Sequence, residues 1–203
     1  MEQLAEVELL VTQDVYLQNG VHVGTKQRSG DMARYVFKIR PDGVAIMDIK
    51  RTDERLRVAS RMIAREAPEK VLVASARHHG QQPVAKFGEI TGVRVSLGRF
   101  IPGSLTNPYL PTFMEPRLVM VTDPAADEQL LDEASEVGIP TIGICNTDNS
   151  TSKLDLVIPA NNRGRRSLAL VYWILAMQVL RERGALALDQ PFPYSIEDFE
   201  TKT

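Results

Sequence analysis

Residues 118–144 read LVMVTDPAADEQLLDEASEVGIPTIGI, and this stretch decides the fold. Leu118-Val119-Met120-Val121 is a short, continuous apolar run, the form of a strand covered on both faces. Asp127 to Val137 reads as a helix closed by Gly138. Thr141 to Ile144 is a second apolar strand. Strand, helix and strand in so few residues spell a crossover unit of a parallel sheet, with right-handed connections expected.

The pattern continues outward in both directions. Upstream, Val71 to Ala74 is a buried strand, Gln81 to Thr91 a helix ended by Gly92, and Val93-Arg94-Val95 another strand. Arg99 to Glu115 is proline-rich and aperiodic, so it reads as a loop. Downstream, Leu156 to Ile158 is a strand and Arg163 to Arg183 a long helix closed by Gly184. At the N-terminal side, Thr12-Gln13-Asp14 opens a short helical turn. Tyr35 to Arg40 and Val44 to Ile49 flank the turn signal Pro41-Asp42-Gly43 and read as a β-hairpin. Thr52-Asp53-Glu54 looks like the start of a helix that stops before Pro68. The expected fold class is α/β: a doubly wound, mainly parallel sheet with helices on both faces and an N-terminal β-hairpin. Residues 1–188 form one domain, and 189–203 a short acidic tail with no pattern.

Composition narrows the function. With 203 residues, 43% hydrophobic and 25% charged, the chain has the make-up of a globular domain with a real core. The single Cys145 excludes an intramolecular disulfide and points to a reducing compartment. The opening MEQLAEVELL lacks the basic region of a secretory signal. The longest apolar run, Leu168 to Met177, is too short to span a bilayer, so no membrane is expected. No Gly-x-Gly-x-x-Gly follows any strand. Gly20 to Lys26 echoes a phosphate loop, but it is one residue short and no strand precedes it.

Charge is uneven. Net charge is −2, yet residues 26–99 hold 16 basic and 8 acidic side chains, leaving −10 for the remainder. Such a chain can bind a polyanion locally. Arg163, Arg165 and Arg166 surround the start of the last helix, with Asn161 or Asn162 as cap. Arginines there oppose the helix dipole, and an external anion would supply the counter-charge. Arg57, Arg61 and Arg65 form a helical stripe, which either meets an anion or faces solvent. Lys26 and Arg28 lie in a glycine-bracketed loop, and Lys38, Arg40, Lys50 and Arg51 surround the hairpin. Asp127 to Glu136 carries five acids and no base, which turns that helix away from nucleic acid.

Two other readings stand beside the polyanion binder. Strand ends offer Asp123 and Asp148, a pair able to hold magnesium in a phosphate-handling enzyme, with His78 or His79 as general base. Against this, Asp and Asn at turns ordinarily bond local backbone. The acidic helix and tail also fit a free protein-binding module.

Several motifs together resemble a known family. They are Gly20 to Thr25; Arg40-Pro41-Asp42-Gly43 with Asp48 to Thr52; Gly98 to Asn107; Val121 to Pro124; Gly138-Ile139-Pro140; Asp155 to Pro159; and Asn161 to Ser167. In this order, from about Tyr16 to Gly184, they are similar to the universal small-subunit ribosomal protein S-two family. The short passage from Asn107 to Leu118 lacks the helical hairpin of bacterial members. Asn161-Asn162-Arg163-Gly164-Arg165-Arg166 and the short tail resemble the archaeal form. The resemblance implies a flavodoxin-like sheet, no catalysis and no cofactor. It places the protein on the cytoplasmic ribosome, between head and body of the small subunit, against rRNA and neighbouring ribosomal proteins, with no small-molecule substrate. Charge and position then select the expected RNA contacts: Lys26, Arg28, Arg40, Lys50, Arg51, Arg57, Arg61, Arg99, Asn162, Arg163, Arg165 and Arg166.

Overall fold

The computed structural model describes residues 9–188 and 190–201. Most of the opening segment read for a secretory signal, together with Asp189 and the last two residues of the tail, lies outside them.

The elements follow in the order α1 (Gln13–Gln18), β1 (Val36–Ile39), β2 (Ala45–Met47), α2 (Ile49–Arg65), β3 (Val71–Ser75), α3 (His78–Thr91), β4 (Arg94–Leu97), β5 (Leu118–Val121), α4 (Glu128–Glu136), β6 (Thr141–Cys145), β7 (Leu156–Pro159) and α5 (Arg165–Glu182). β1 and β2 pair antiparallel as the expected hairpin. The other five strands form one parallel sheet in the order β4-β3-β5-β6-β7. Counted within that sheet, this is the 2-1-3-4-5 order of flavodoxin-like folds.

Strand alternation divides the core into two layers. Val71, Val73, Met120, Ile142, Ile144 and Ile158 point to one face, where α2, α3 and α5 pack. Leu72, Ala74, Val119 and Val121 point to the other, beneath α4 and the loop carrying Phe100 and Leu105. Met32 and Tyr35 cover Cys145 and Val157. α5 is buried along most of its length, as its continuous apolar run requires. α3 ends on Gly92, whose φ of +76° admits glycine readily.

Three local expectations are corrected. α2 begins at Ile49, not Thr52, because Asp48 caps it by accepting from Lys50 N at 3.0 Å. Thr52 and Asp53 are drawn inside instead. Thr52 Oγ1 donates to Pro159 O at 2.6 Å, and Asp53 Oδ1 accepts from Leu10 N (2.7 Å) and the Tyr16 hydroxyl (3.0 Å). α3 begins at His78 rather than Gln81. α5 is capped at Gly164 rather than at Asn161 or Asn162. The described part of the tail packs back onto the domain. Ser195 and Asp198 form a capping box over the turn Ile196–Phe199, which buries Phe199 fully. Trp173 Nε1 donates to Tyr194 O at 2.7 Å, and Phe192 meets the Trp173 ring edge-on.

Candidate nucleic-acid interface

In such sheets ligands enter beyond the strand carboxyl ends, at the switch point between β3 and β5. Here that crevice is largely occupied by the chain's own paired side chains, although Asp127 Oδ2 and Asp148 Oδ1 are buried without a hydrogen-bond partner among the described residues. Asp123 is fully buried, ion-paired with Arg77, and accepts from Asn149 Nδ2 (3.0 Å) and Ala125 N (3.1 Å). Asp127 accepts from Ala76 N at 2.9 Å, and burial pushes its carboxyl up to about 6. The hydroxyls of Thr122 and Tyr172 lie 2.8 Å apart. Asp148, the second carboxylate of the enzyme reading, is ion-paired with Arg163. The two carboxylates are thus each matched to an arginine. Among the described residues no group of three or more His, Cys, Asp or Glu is placed to hold a metal. His78 and His79 are exposed at the start of α3. Cys145 is buried at the end of β6, and burial pushes its thiol up, away from nucleophilic use.

The basic side chains gather on the rim outside this crevice, toward β6 and β7. The anchor is the turn after β6. Thr147 Oγ1 accepts from Thr25 N at 2.9 Å, and Thr147 O accepts from Ser29 N at 2.8 Å. At Gly24 a Cβ would lie 2.6 Å from Thr147 Cγ2, so only glycine lets the two segments meet. Residues 26–28 are thereby pinned over the sheet's carboxyl end. Lys26 and Arg28 are exposed, with no ion pair to any described residue. The start of α2 sits beside them through the Thr52–Pro159 bond, and brings Lys50 and Arg51 to the same end. Arg51 reaches Glu54 at 3.2 Å, but both side chains are over half exposed, so the pair holds it weakly. Arg163 lies on this rim beside Asp148. Arg40 is on the hairpin, 3.3 Å from Asp42, and Arg99 is exposed beyond β4 at the opposite edge of the sheet.

Other expected contacts are placed differently. Asn162 is 1% exposed, and its Nδ2 donates to Ile144 O and Asn149 Oδ1, both at 3.0 Å. It closes the turn from inside and is no surface ligand, which corrects its place among the RNA contacts. Arg165 and Arg166 were expected to need an external anion. The chain supplies one: Glu200 Oε1 lies 2.9 Å from Arg165 Nε and 3.8 Å from Arg166 Nε. Arg57 pairs with the buried Asp53 at 2.8 Å, and Arg61 with Glu182 at 3.1 Å. Arg61 also lies eleven residues along α2 from Lys50, about 16 Å at the helical rise. Arg57 is thus held by a buried carboxylate and Arg61 only weakly by an exposed one, and both lie farther along α2 than Lys50 and Arg51. Sequence reasoning passed over Arg34, exposed with its guanidinium 5.0 Å from the Tyr35 ring, and the anchoring role of Thr147, whose partners Thr25 and Ser29 lie 122 and 118 positions away.

The fold is a flavodoxin-like scaffold with a cationic rim beside its strand-end crevice. The chain matches the family described as Ribosomal protein S2 over residues 16–110 and 111–181, and it belongs to that family. It is similar to proteins named "Small ribosomal subunit protein uS2" from three organisms. That of Ignicoccus hospitalis is 50% identical over 199 residues, covering 97% of this chain and 94% of its own. That of Picrophilus torridus is 47% identical, covering 98% and 100%. That of Thermoplasma acidophilum is 47% identical, covering 96% and 98%. All three relatives are archaeal. No helix among the described residues is long and apolar enough to cross a membrane.

Proposed function

We propose that this chain is a structural constituent of the small ribosomal subunit in the cytoplasm, binding rRNA and neighbouring ribosomal proteins rather than turning over a small molecule. Family membership carries the assignment. What supports an RNA contact here is the pinning of Lys26 and Arg28, without a carboxylate partner among the described residues, above the sheet end that also presents Lys50, Arg51 and Arg163. Cations on a rigid rim neutralise phosphates while reading no base edge, so recognition follows RNA shape. Arg40 and Arg99 extend the contact toward the hairpin and the far sheet edge. Arg165 and Arg166 join it only where phosphate displaces Glu200.

Sedimentation tests the assignment. A tagged chain expressed in archaeal cells should travel with small subunits and stay there through a moderate salt wash. Replacing Lys26, Arg28, Lys50 and Arg51 with Ala should make the wash release it while the free protein keeps its fold. A wild-type chain at the top of the gradient would contradict the assignment, and a salt-resistant variant would contradict the rim.

A further inference from the structure

The β1–β2 hairpin stands apart from the large sheet, and among the described residues β1 is bonded on one side only. β2 is closed on its far side by residues 22–25: Met47 N donates to His22 O at 2.8 Å and Gly24 N to Ala45 O at 2.9 Å. No described strand meets the outer edge of β1. An edge strand leaves alternate N–H and C=O groups unpaired, and folded proteins usually blunt it with charge, proline or a covering element. β1 instead shows Phe37 at 69% exposure and Ile39 at 50%. Beside it runs a groove of about 840 Å³. Leu9, Leu17 and Phe37 line it with apolar surface, and Lys38, Arg40 and Lys50 line it with three cations against the one carboxylate of Asp48. Lys38 and Lys50 are exposed and make no ion pair with any described carboxylate.

We propose that this groove and the free edge of β1 form the docking surface for an extended segment of a neighbouring protein, one in which apolar and acidic residues alternate. Strand addition pairs the open backbone groups, and the period of two along the added strand sorts its side chains. Its apolar side chains cover Phe37 and Leu17, and its carboxylates meet Lys38, the groove cation that the RNA rim does not use. An RNA strand satisfies the cations but not the rest. Phe37 could stack a base but the aliphatic Leu9 and Leu17 beside it could not, and a phosphate backbone carries no amide ladder to match β1. From the ribosomal reading the proposal takes only where the partner sits.

The test is photo-crosslinking in intact subunits. Phe37 is replaced by p-benzoylphenylalanine, purified small subunits carrying the chain are irradiated, and products are mapped by mass spectrometry. The expected product joins position 37 to one neighbouring protein, at a segment of alternating apolar and acidic residues. Adding Lys38→Glu, at a side chain outside the RNA rim, should lower its yield roughly fivefold. Crosslinks to rRNA, to a second copy, to the chain's own first residues or to nothing would overturn the proposal and leave the ribosomal assignment standing. Hydrogen exchange of wild-type subunits gives a reading that needs no variant: amides of residues 36–39 should exchange roughly tenfold more slowly than in the free chain. Unchanged exchange also overturns the proposal. A wild-type chain absent from subunits overturns the ribosomal assignment, and this docking partner with it.

Discussion

Glu200 Oε1 sits 2.9 Å from Arg165 Nε and so gives the positive tip of α5 an intramolecular counter-ion in the place where RNA phosphate was expected. The carboxylate is held there by its neighbour Phe199, which is fully buried. Glu200→Gln removes that counter-charge. The free chain should then bind duplex RNA roughly two- to fivefold more tightly at low salt, with a log–log salt slope steeper by up to about one. Filter binding across a salt series reads both quantities. An unchanged slope would mean that Arg165 and Arg166 serve only the tail.

Phe199 gives a second expectation. Truncation to Ala removes a ring from the core and should cost about 3–4 kcal/mol of unfolding free energy. It should also free the segment held by the Trp173–Tyr194 bond, so limited proteolysis should cut near residues 190–195 in the variant and spare the wild type.

Asp53 organises the N-terminal side. It is 1% exposed and bound by Leu10 N, the Tyr16 hydroxyl and Arg57. Asp53→Ala strands these partners and should cost about 3–5 kcal/mol in urea unfolding, whereas Tyr16→Phe, which removes one neutral donor, should cost about 1 kcal/mol. Equal costs would contradict the charge-centred account.

Asp127 sets a pH dependence of definite sign. Burial raises its carboxyl from the ordinary value of 3.8 to about 6 in the folded chain. The folded state therefore holds the proton more tightly than the unfolded state. The resulting stabilisation is complete below about pH 4 and is lost as pH rises through about 6. Asp127→Asn keeps the oxygen that accepts from Ala76 N and cannot ionise. Relative to wild type, the variant should gain on the order of 2 kcal/mol between pH 4 and pH 7, read as the difference of the two stability curves. A constant difference would contradict the shift.

The crossover unit β5–α4–β6 was legible because its strands are continuous apolar runs separated by turn chemistry. The length of α5 was legible for a similar reason, since its apolar run can only be buried. The start of α2 was not. Thr52-Asp53-Glu54 carries a cap signature locally, but Pro159 O and the Tyr16 hydroxyl, both distant in sequence, draw the first two residues inward and leave capping to Asp48. The same limit governs the site. Charge counting singled out Lys26, Arg28, Lys50 and Arg51, and the family motifs mark the turn that Asn162 closes. No local pattern separates an asparagine that points outward from one bonded to Ile144 O and Asn149. The counter-ion Glu200 lies in a segment without periodicity, 35 positions from Arg165, and only the folded-back tail reveals it.

A reconstruction of the intact small subunit tests the central claim most directly, through the distances from Lys26 Nζ and the Arg28 guanidinium to the nearest phosphate oxygens. The account predicts that both lie within about 3.5 Å, with Lys50 or Arg51 on an adjacent phosphate. Both side chains facing open solvent, with rRNA against the acidic face of α4 instead, would contradict it.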